Sequence, residues 1–275
     1  MHVLLATDDS SEARQAVDWL RALPLPDDAS VSIVTVATLM DPPSNAQSMS
    51  ALRQTLRIEA SQAAGRAAAI LKERWPRVTI VVAEGDARVE ILHVADELGA
   101  DMVVVGARGL GRIKRLLGGS TSLAVARYAR CSVAVVPEGR QTLRRVLVGL
   151  DDSSASRAAL AFLSRFALAA ETSIILLHVL REDSREVSAP NGRRGAEQLQ
   201  AEAVTVLGER RCSVERMVAR GDAAGEIVRV ARERDVDLVV LGARGLRTLA
   251  RLFLGSVSEA VLHHAGRPVI VARDP

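Results

Sequence analysis

The sequence DMVVVGARGL, which occupies residues 101–110, returns as DLVVLGARGL at residues 237–246. Each copy contains an apolar run of strand length that ends in glycine, and the Gly-Ala-Arg-Gly segment that begins there is typical of a turn. The match extends backwards without a gap, because residues 85–110 align with residues 221–246 at a constant offset. Self-similarity at a fixed offset is the signature of a duplicated structural unit.

A second pair of matching segments marks the start of each copy. The segment VLLATDDSS at residues 3–11 recurs as VLVGLDDSS at residues 146–154. A chain of 275 residues is long enough for about two domains of ordinary size. The sequence therefore predicts two homologous domains, the first over residues 1–140 and the second over residues 141–275.

Each copy alternates short apolar runs with longer stretches of helical periodicity. In the first copy we predict strands at residues 2–6, 31–37, 78–83, 102–105 and 133–136, and helices at residues 9–20, 51–74, 89–98 and 120–128. Apolar runs without alternation are typical of strands buried on both faces, and parallel strands need helical crossovers. The predicted fold class is α/β, with two tandem doubly wound domains that each contain a five-stranded parallel sheet.

Composition disfavours several classes of function. Aromatic residues make up 2% of the chain, whereas readers of single-stranded nucleic acid stack bases on aromatic side chains. The net charge is +3, and the charged residues form no long block of one sign, so we expect no nucleic-acid arm and no polybasic membrane anchor. The sequence shows no signal-peptide pattern and no apolar run of membrane-spanning length. Cys131 and Cys212 are predicted to be thiols in a reducing compartment. We therefore expect a cytoplasmic protein that binds neither nucleic acid nor membrane.

A second glycine segment follows each Gly-Ala-Arg-Gly turn after nine residues, and there a Gly-Ser pair opens a predicted helix. Glycines let a backbone approach a polyphosphate closely, and N–H groups at a helix N-terminus attract anions. The alternative is structural, namely a glycine turn followed by an ordinary serine N-cap. The candidate phosphate-binding residues are Gly106, Arg108, Gly109, Gly119, Ser120, Thr121 and Ser122 in the first copy, and Gly242, Arg244, Gly245, Gly255, Ser256, Val257 and Ser258 in the second.

An aspartate follows the first predicted strand of each copy, at Asp8 and Asp151. Ligands of doubly wound sheets bind beyond the carboxyl ends of the strands, so a carboxylate there could accept hydrogen bonds from a ribose or an adenine. The alternative is that the following Asp-Ser residues cap the next helix and that the first aspartate is merely adjacent. The sequence contains neither a GxxxxGK[ST] phosphate loop nor a GxGxxG segment after the first strand.

With these residues, the chain resembles a tandem member of the universal stress protein family, whose domains have an adenine nucleotide α-hydrolase-like fold. The ATP-binding members of that family carry G-x2-G-x9-G-[ST] after the fourth strand, as both copies do here. The resemblance implies one ATP in each domain, with or without Mg2+. Dimers of the family are built by pairing of last strands, and here the strands at residues 133–136 and 269–272 could pair within one chain and leave other surface for a homodimer. We also expect a protein partner whose identity the sequence does not give. The implied contacts outside the glycine motifs are Thr7, Asp8 and Val36 in the first domain, and Asp151 and Val179 in the second.

The two predicted sites are not equal. The second copy has Leu150 where the first has Thr7, which removes one hydroxyl from the pocket floor. Between the glycine segments, the first copy also has more basic residues, namely Arg112, Lys114 and Arg115 against Arg247 and Arg251. We therefore expect weaker nucleotide binding in the second domain.

The sequence offers little that supports catalysis. It contains no HExxH metal pair and no GxSxG nucleophile, and His178 is more typical of a packed or hydrogen-bonded residue than of a base. Asp8 and Asp9 could hold Mg2+ together with phosphate oxygens. We predict an ATP-binding regulatory protein of the stress response that acts by binding rather than catalysis. The alternatives are a nucleotide-free interaction scaffold and an ATP-hydrolysing enzyme of related fold.

Overall fold

The computed structural model describes residues 1–39, 46–107, 120–139, 142–180, 192–207, 212–244 and 254–274. The chain forms two compact units. One comprises Met1–Arg21 and Asp27–Glu138, and the other comprises Ala22–Pro26 and Gly139–Pro275. Within the described residues, no helix combines the length and the apolar character that crossing a bilayer requires.

The first unit alternates strands and helices along the chain. Its elements are β1 (His2–Ala6), α1 (Ser11–Ala22), β2 (Ser30–Ala37), α2 (Ala46–Lys72), β3 (Val78–Glu84), α3 (Ala87–Glu97), β4 (Met102–Gly106), α4 (Ser120–Tyr128) and β5 (Ser132–Val136). The strands lie in the order β3-β2-β1-β4-β5, and every pair in that order is parallel.

The second unit repeats this arrangement. Its elements are β6 (Arg145–Leu150), α5 (Ser154–Leu163), β7 (Ser173–Leu180), α6 (Gly192–Leu207), β8 (Ser213–Arg220), α7 (Ala223–Glu233), β9 (Leu238–Gly242), α8 (Ser256–His264) and β10 (Val269–Ala272). The strand order is β8-β7-β6-β9-β10, again parallel throughout. The two units confirm the predicted α/β fold class with doubly wound parallel sheets.

The core lies along the central strands of each sheet. In β1, Val3, Leu4 and Leu5 are fully buried, which agrees with apolar runs that are covered on both faces. The edge strand β3 differs, because most of its residues are partly or largely exposed, and Ile80 is 43% exposed. An apolar run therefore predicted burial correctly for the central strands and overestimated it at the edge, since periodicity does not reveal a strand's place in the sheet.

A repeated aspartate ties the amino ends of the central strands together. Asp101, just before β4, accepts a hydrogen bond from the backbone N–H of His2 at 2.6 Å, and its own N–H donates to the His2 carbonyl at 2.8 Å. Asp237 and Arg145 exchange the same two bonds in the second unit, both at 2.9 Å. The aspartate that the two copies share at this position is therefore architectural, and it lies at the edge of the sheet opposite to the carboxyl ends of the strands.

Candidate functional site

Each sheet has its topological switch point at the carboxyl ends of its two central strands. In the first unit the chain proceeds from β1 to β2 on one side, and later returns to β4 on the other side of β1. Ligands of doubly wound sheets bind in the crevice that this reversal creates. Thr7 and Asp8 follow β1 there, and Gly106 ends β4. Leu150, Asp151 and Gly242 hold the same positions at β6 and β9.

The turn after β1 is held by its own side chains. Oδ1 of Asp8 accepts from the Ser10 N–H at 3.1 Å, and Oγ1 of Thr7 accepts from the Asp9 N–H at 3.2 Å. Oγ of Ser10 then accepts from the Ala13 N–H at 3.3 Å, which caps α1. Asp8 itself is exposed at the mouth of the crevice. Ser10 therefore caps the helix while Asp8, two residues earlier, stays exposed.

The second unit builds the same turn and places it against the glycine motif. Oδ1 of Asp151 accepts from the Ser153 N–H at 3.2 Å, and Oγ of Ser153 accepts from the Ser156 N–H at 3.1 Å. The Ser153 hydroxyl also lies 3.3 Å from the carbonyl oxygen of Arg244. The turn that carries Asp151 and the beginning of the Gly-Ala-Arg-Gly segment are thereby brought together, as the sequence predicted.

Asp9, which the sequence paired with Asp8 as a magnesium ligand, has other partners. The carboxylate of Asp9 lies 2.8 Å from Nη2 of Arg66 and 3.5 Å from Nη1 of Arg14. Arg66 also donates from Nε to Oδ2 of Asp9 at 3.0 Å. Two guanidinium groups repel a divalent cation, so the arrangement around Asp9 does not suit a magnesium site made of both aspartates.

The first glycine of each motif is required by helix packing. A Cβ atom at Gly106 would lie 2.7 Å from the backbone carbonyl of Glu12 in α1, and one at Gly242 would lie 2.4 Å from the carbonyl carbon of Ala155 in α5. Real Cβ atoms do not approach backbone this closely. These two glycines let the helix after the first strand cross directly over the end of β4 or β9.

The second half of the motif opens a helix without a side-chain cap. Gly255 is the N-cap residue of α8, and as a glycine it supplies no side-chain hydrogen bond to the first turn. The Gly255 N–H donates to the Ala243 carbonyl at 2.7 Å, and the Ser258 hydroxyl donates to the Gly242 carbonyl at 2.8 Å. The first turn of α8 is thus fastened to the end of β9. The serine N-cap that the structural alternative required is absent from this described helix, since neither Ser256 nor Ser258 caps it.

The corresponding region of the first unit is described in part. Ser120 begins α4, Thr121 is half-buried and Ser122 is buried, as Ser258 is. Val257 is half-buried in the first turn of α8, and Arg244 is half-buried after β9. The predicted contacts Arg108, Gly109, Gly119 and Gly245 lie outside the described residues, as do all the basic residues between the glycine segments.

Val36 and Val179 lie at the carboxyl ends of β2 and β7, on the strands next to the crevice. Both are half-buried, whereas Thr35 and Ala37 on either side of Val36 are 3% and 5% exposed. A partly open apolar side chain at this edge can contact the ring of a nucleobase. The register of the neighbouring strands places Val36 near Thr7 and Asp8. It likewise places Val179 near Leu150 and Asp151.

Family comparison fits this architecture. The model of the universal stress protein family matches residues 1–137 and, a second time, residues 142–273. The chain belongs to the universal stress protein family. It carries two copies of the family's domain, and each copy contains one of the crevices described above.

Named relatives and solved structures agree with this assignment. The universal stress protein Rv2623 of Mycobacterium tuberculosis (strain H37Rv) is 34% identical over 186 residues, which cover 64% of this chain and 62% of that protein. Rv2005c of the same strain is 36% identical over 188 residues, covering 63% and 62%. The chain thus spans about 62% of the length of these curated relatives. The crystal structure of a universal stress protein from Archaeoglobus fulgidus DSM 4304 aligns with 99% of this chain and 98% of that one, with a TM-score of 0.73 and 20% identity, and shows likeness of fold.

Sequence reasoning located the two turns and both glycine motifs of this universal stress protein, and it missed Arg66. Arg66 lies 57 residues after Asp9 on an exposed face of α2, where an arginine is indistinguishable from any solvated charge. The prediction that His178 is a packed or hydrogen-bonded residue agrees with the structure, because its Nδ1 lies 3.0 Å from the Leu150 carbonyl oxygen.

Proposed function

We propose that each domain binds one adenine nucleotide, namely ATP, where the strands of its sheet have their carboxyl ends. The single observation that carries the proposal is the N-terminus of α8, which begins at the N-cap residue Gly255 and is fastened to the end of β9 at the switch point. The free N–H groups of a first helical turn, together with the helix dipole, favour a phosphate at that position.

The surrounding residues suit the rest of an adenine nucleotide. Asp8 and Asp151 present carboxylates that can accept hydrogen bonds from ribose hydroxyls. Val36 and Val179 offer partly exposed apolar contact for an adenine ring. Because two arginines engage Asp9, it does not suit the role of protein ligand to a Mg2+ ion that accompanies the ATP.

In this proposal the protein is a regulator of the stress response that works by binding. The nucleotide state of its two domains would be read by another protein, and the chain would act as a cytoplasmic homodimer. One observation supports binding over metal-assisted catalysis: the carboxylate of Asp9 is engaged by two arginines. The family membership of the chain supports the role in stress.

A nucleotide-free scaffold is the second candidate, and one observation favours it. Gly106 and Gly242 are needed for helix packing whether or not a ligand binds. The first glycine of each motif therefore does not by itself distinguish a nucleotide site from a purely structural turn.

Substitution of the second glycine of each motif separates the two candidates. We expect Gly109→Val to abolish ATP binding in the first domain and Gly245→Val to abolish it in the second, with the double variant binding none in isothermal titration. Gly65→Ala, at an exposed helical glycine with open space around it, is the matched control and should bind ATP like the wild type. Unchanged ATP binding by the folded double variant, checked by circular dichroism, would contradict the proposal.

A further inference from the structure

His178 spans the carboxyl ends of two neighbouring strands of the second domain. It lies on β7 in register with Leu150, the last residue of β6. Its Nδ1 lies 3.0 Å from the Leu150 carbonyl oxygen. Asp151 follows Leu150 and Val179 follows His178, so His178 directly precedes the strand-end residue proposed to contact the base, and its ring is bonded to the residue before the one proposed to contact the sugar.

This hydrogen bond fixes the tautomer of the neutral imidazole. A backbone carbonyl can only accept, so Nδ1 must carry the proton. Nε2 of the neutral ring is then unprotonated and is a hydrogen-bond acceptor. His178 is half-buried rather than buried, so part of the residue remains accessible to solvent.

The first domain has different chemistry at this position. There the sequence has Thr35, which stands beside Thr7 as His178 stands beside Leu150. Thr35 is 3% exposed, and among the described residues its Oγ1 is a buried side-chain atom without a hydrogen-bond partner. The first site thus has two threonine hydroxyls where the second has an aliphatic side chain and an imidazole.

We infer that Nε2 of His178 accepts a hydrogen bond from the nucleoside bound in the second domain. The inference rests on the proposed function and adds a ligand contact that the glycine motif does not supply. The donor is an N–H or O–H group of the nucleoside, either the 6-amino group of adenine or a ribose hydroxyl. The two domains consequently recognise the same ligand through different contacts.

The test isolates the second site and separates the two bonds of the imidazole. Gly109→Val removes the first site, so ATP titration then reports the second site alone. In that background, His178→Asn retains a side-chain N–H near the position of Nδ1, and it lacks an acceptor at the position of Nε2. His178→Gln is the converse variant, because its amide reaches the position of Nε2. Gly65→Ala, at an exposed position of α2 outside both proposed sites, is the control.

We expect His178→Asn to weaken ATP binding by about tenfold, the effect of roughly one hydrogen bond, and His178→Gln to recover part of the loss. Titration with purine riboside triphosphate, which lacks the 6-amino group, and with 2′-deoxy-ATP and 3′-deoxy-ATP identifies the donor. The Gly109→Val protein should bind the analogue that lacks the donor group more weakly than it binds ATP. When His178→Asn is added, the protein should bind that analogue and ATP with equal affinity.

The outcomes distinguish the inference from the proposed function. If the wild-type chain binds no ATP, the proposed function fails. If the Gly109→Val background binds ATP and His178→Asn binds it equally well, only the inference is overturned. It is also overturned if His178→Asn weakens ATP and all the analogues by the same factor, because the imidazole would then act through the Leu150 carbonyl alone. If the wild type binds one ATP and the Gly109→Val background none, the second site and the inference both fail.

Discussion

At the end of β4, Gly106 lies against the first turn of α1 with no room for a side chain. The atoms that a Cβ would meet are the backbone carbonyl of Glu12 at 2.7 Å and the N–H nitrogen of Ala13 at 3.0 Å. Backbone in a helix cannot move aside as a flexible side chain can, so the helix must shift off the strand.

We predict that Gly106→Ala destabilises the first domain by about 1–3 kcal/mol, the usual cost of overpacking. Both tryptophans, Trp19 and Trp75, are buried and belong to this domain, so the urea midpoint of tryptophan fluorescence measures the effect. Gly65→Ala is the control, because Gly65 is helical and has no atom within 4 Å of an added Cβ. It should stabilise the domain by up to about 1 kcal/mol. Equal urea midpoints for Gly106→Ala and the wild type would contradict the prediction, because they would show that α1 accommodates a side chain at position 106.

Asp237 gives a second test at the scale of single residues. Asp237 is 6% exposed, and its carboxylate accepts from the N–H groups of Arg144 and Arg145 at 2.7 and 2.9 Å, and from the Thr142 hydroxyl at 2.8 Å. An asparagine cannot accept all three bonds. We predict that Asp237→Asn costs about 1.5–3 kcal/mol, the range for hydrogen bonds to a charged group. Circular dichroism in urea measures it, and exposed Asp28→Asn should change stability by less than about 0.5 kcal/mol. A loss no larger than that of the control would refute the architectural role.

At the scale of elements, periodicity predicted which segments are helices and strands, and local capping decided where they end. The predicted helix at 9–20 begins at Ser11 instead, because Asp9 has a left-handed φ of 59° and Ser10 caps the helix. The long predicted helix at 51–74 extends over Ala46–Lys72. Such shifts depend on turn geometry and side-chain hydrogen bonds, which a hydrophobic pattern does not contain.

The candidate site shows the same division between what sequence can and cannot predict. Thr7, Asp8 and Gly106 were predictable, because they follow strands whose carboxyl ends must meet at one edge of a parallel sheet. The ion pair of Arg66 with Asp9 was not, because it joins an exposed helical position to a turn far away in the chain. The difference between Thr35 and His178 became informative only once strand register placed each beside the end of the first strand.

The N-cap of α3 leads to a prediction about pH. Asp86 accepts from the Arg88 N–H at 2.8 Å and also pairs with the Arg88 guanidinium. The side chain of Arg88, followed by its backbone N–H, lowers the pKa of Asp86 from 3.8 to about 2. Since the pKa is lower in the folded state, the cap stabilises the helix above about pH 4. It loses that stabilisation as the pH falls toward 2.

We expect the carboxyl carbon of Asp86 to titrate by NMR with a midpoint near 2, and Arg88→Ala to raise that midpoint toward the ordinary value. The stability difference between wild type and Asp86→Ala should shrink on acidification. Asp222, the N-cap of α7, accepts from the Gly225 N–H at 2.8 Å, and it provides a second cap for comparison. A midpoint for Asp86 near 4 that does not respond to Arg88→Ala would contradict the pairing.

At the scale of the whole molecule, the two domains keep the same architecture but differ in residues next to the proposed nucleotide sites. Both domains keep the Asp-x-Ser turn and the glycine at the end of the fourth strand. The second domain has Leu150, which is buried and has no hydroxyl, where the first has Thr7. In our inference, His178 compensates for part of that loss.

We therefore predict two different ATP affinities, with the weaker in the second domain. Calorimetry on Gly109→Val and Gly245→Val assigns each affinity to its domain, and indistinguishable values would refute the asymmetry.

The most direct measurement of the central claim is the total number of adenine nucleotides that one chain can hold. Nucleotide released by denaturing the purified protein is quantified by chromatography, and the stripped, refolded chain is then titrated with ATP to saturation. The account predicts a total near two per chain, with released nucleotide recovered as ATP. A chain that releases none and binds none at millimolar ATP would contradict it, and would leave two domains that keep their glycines for helix packing alone.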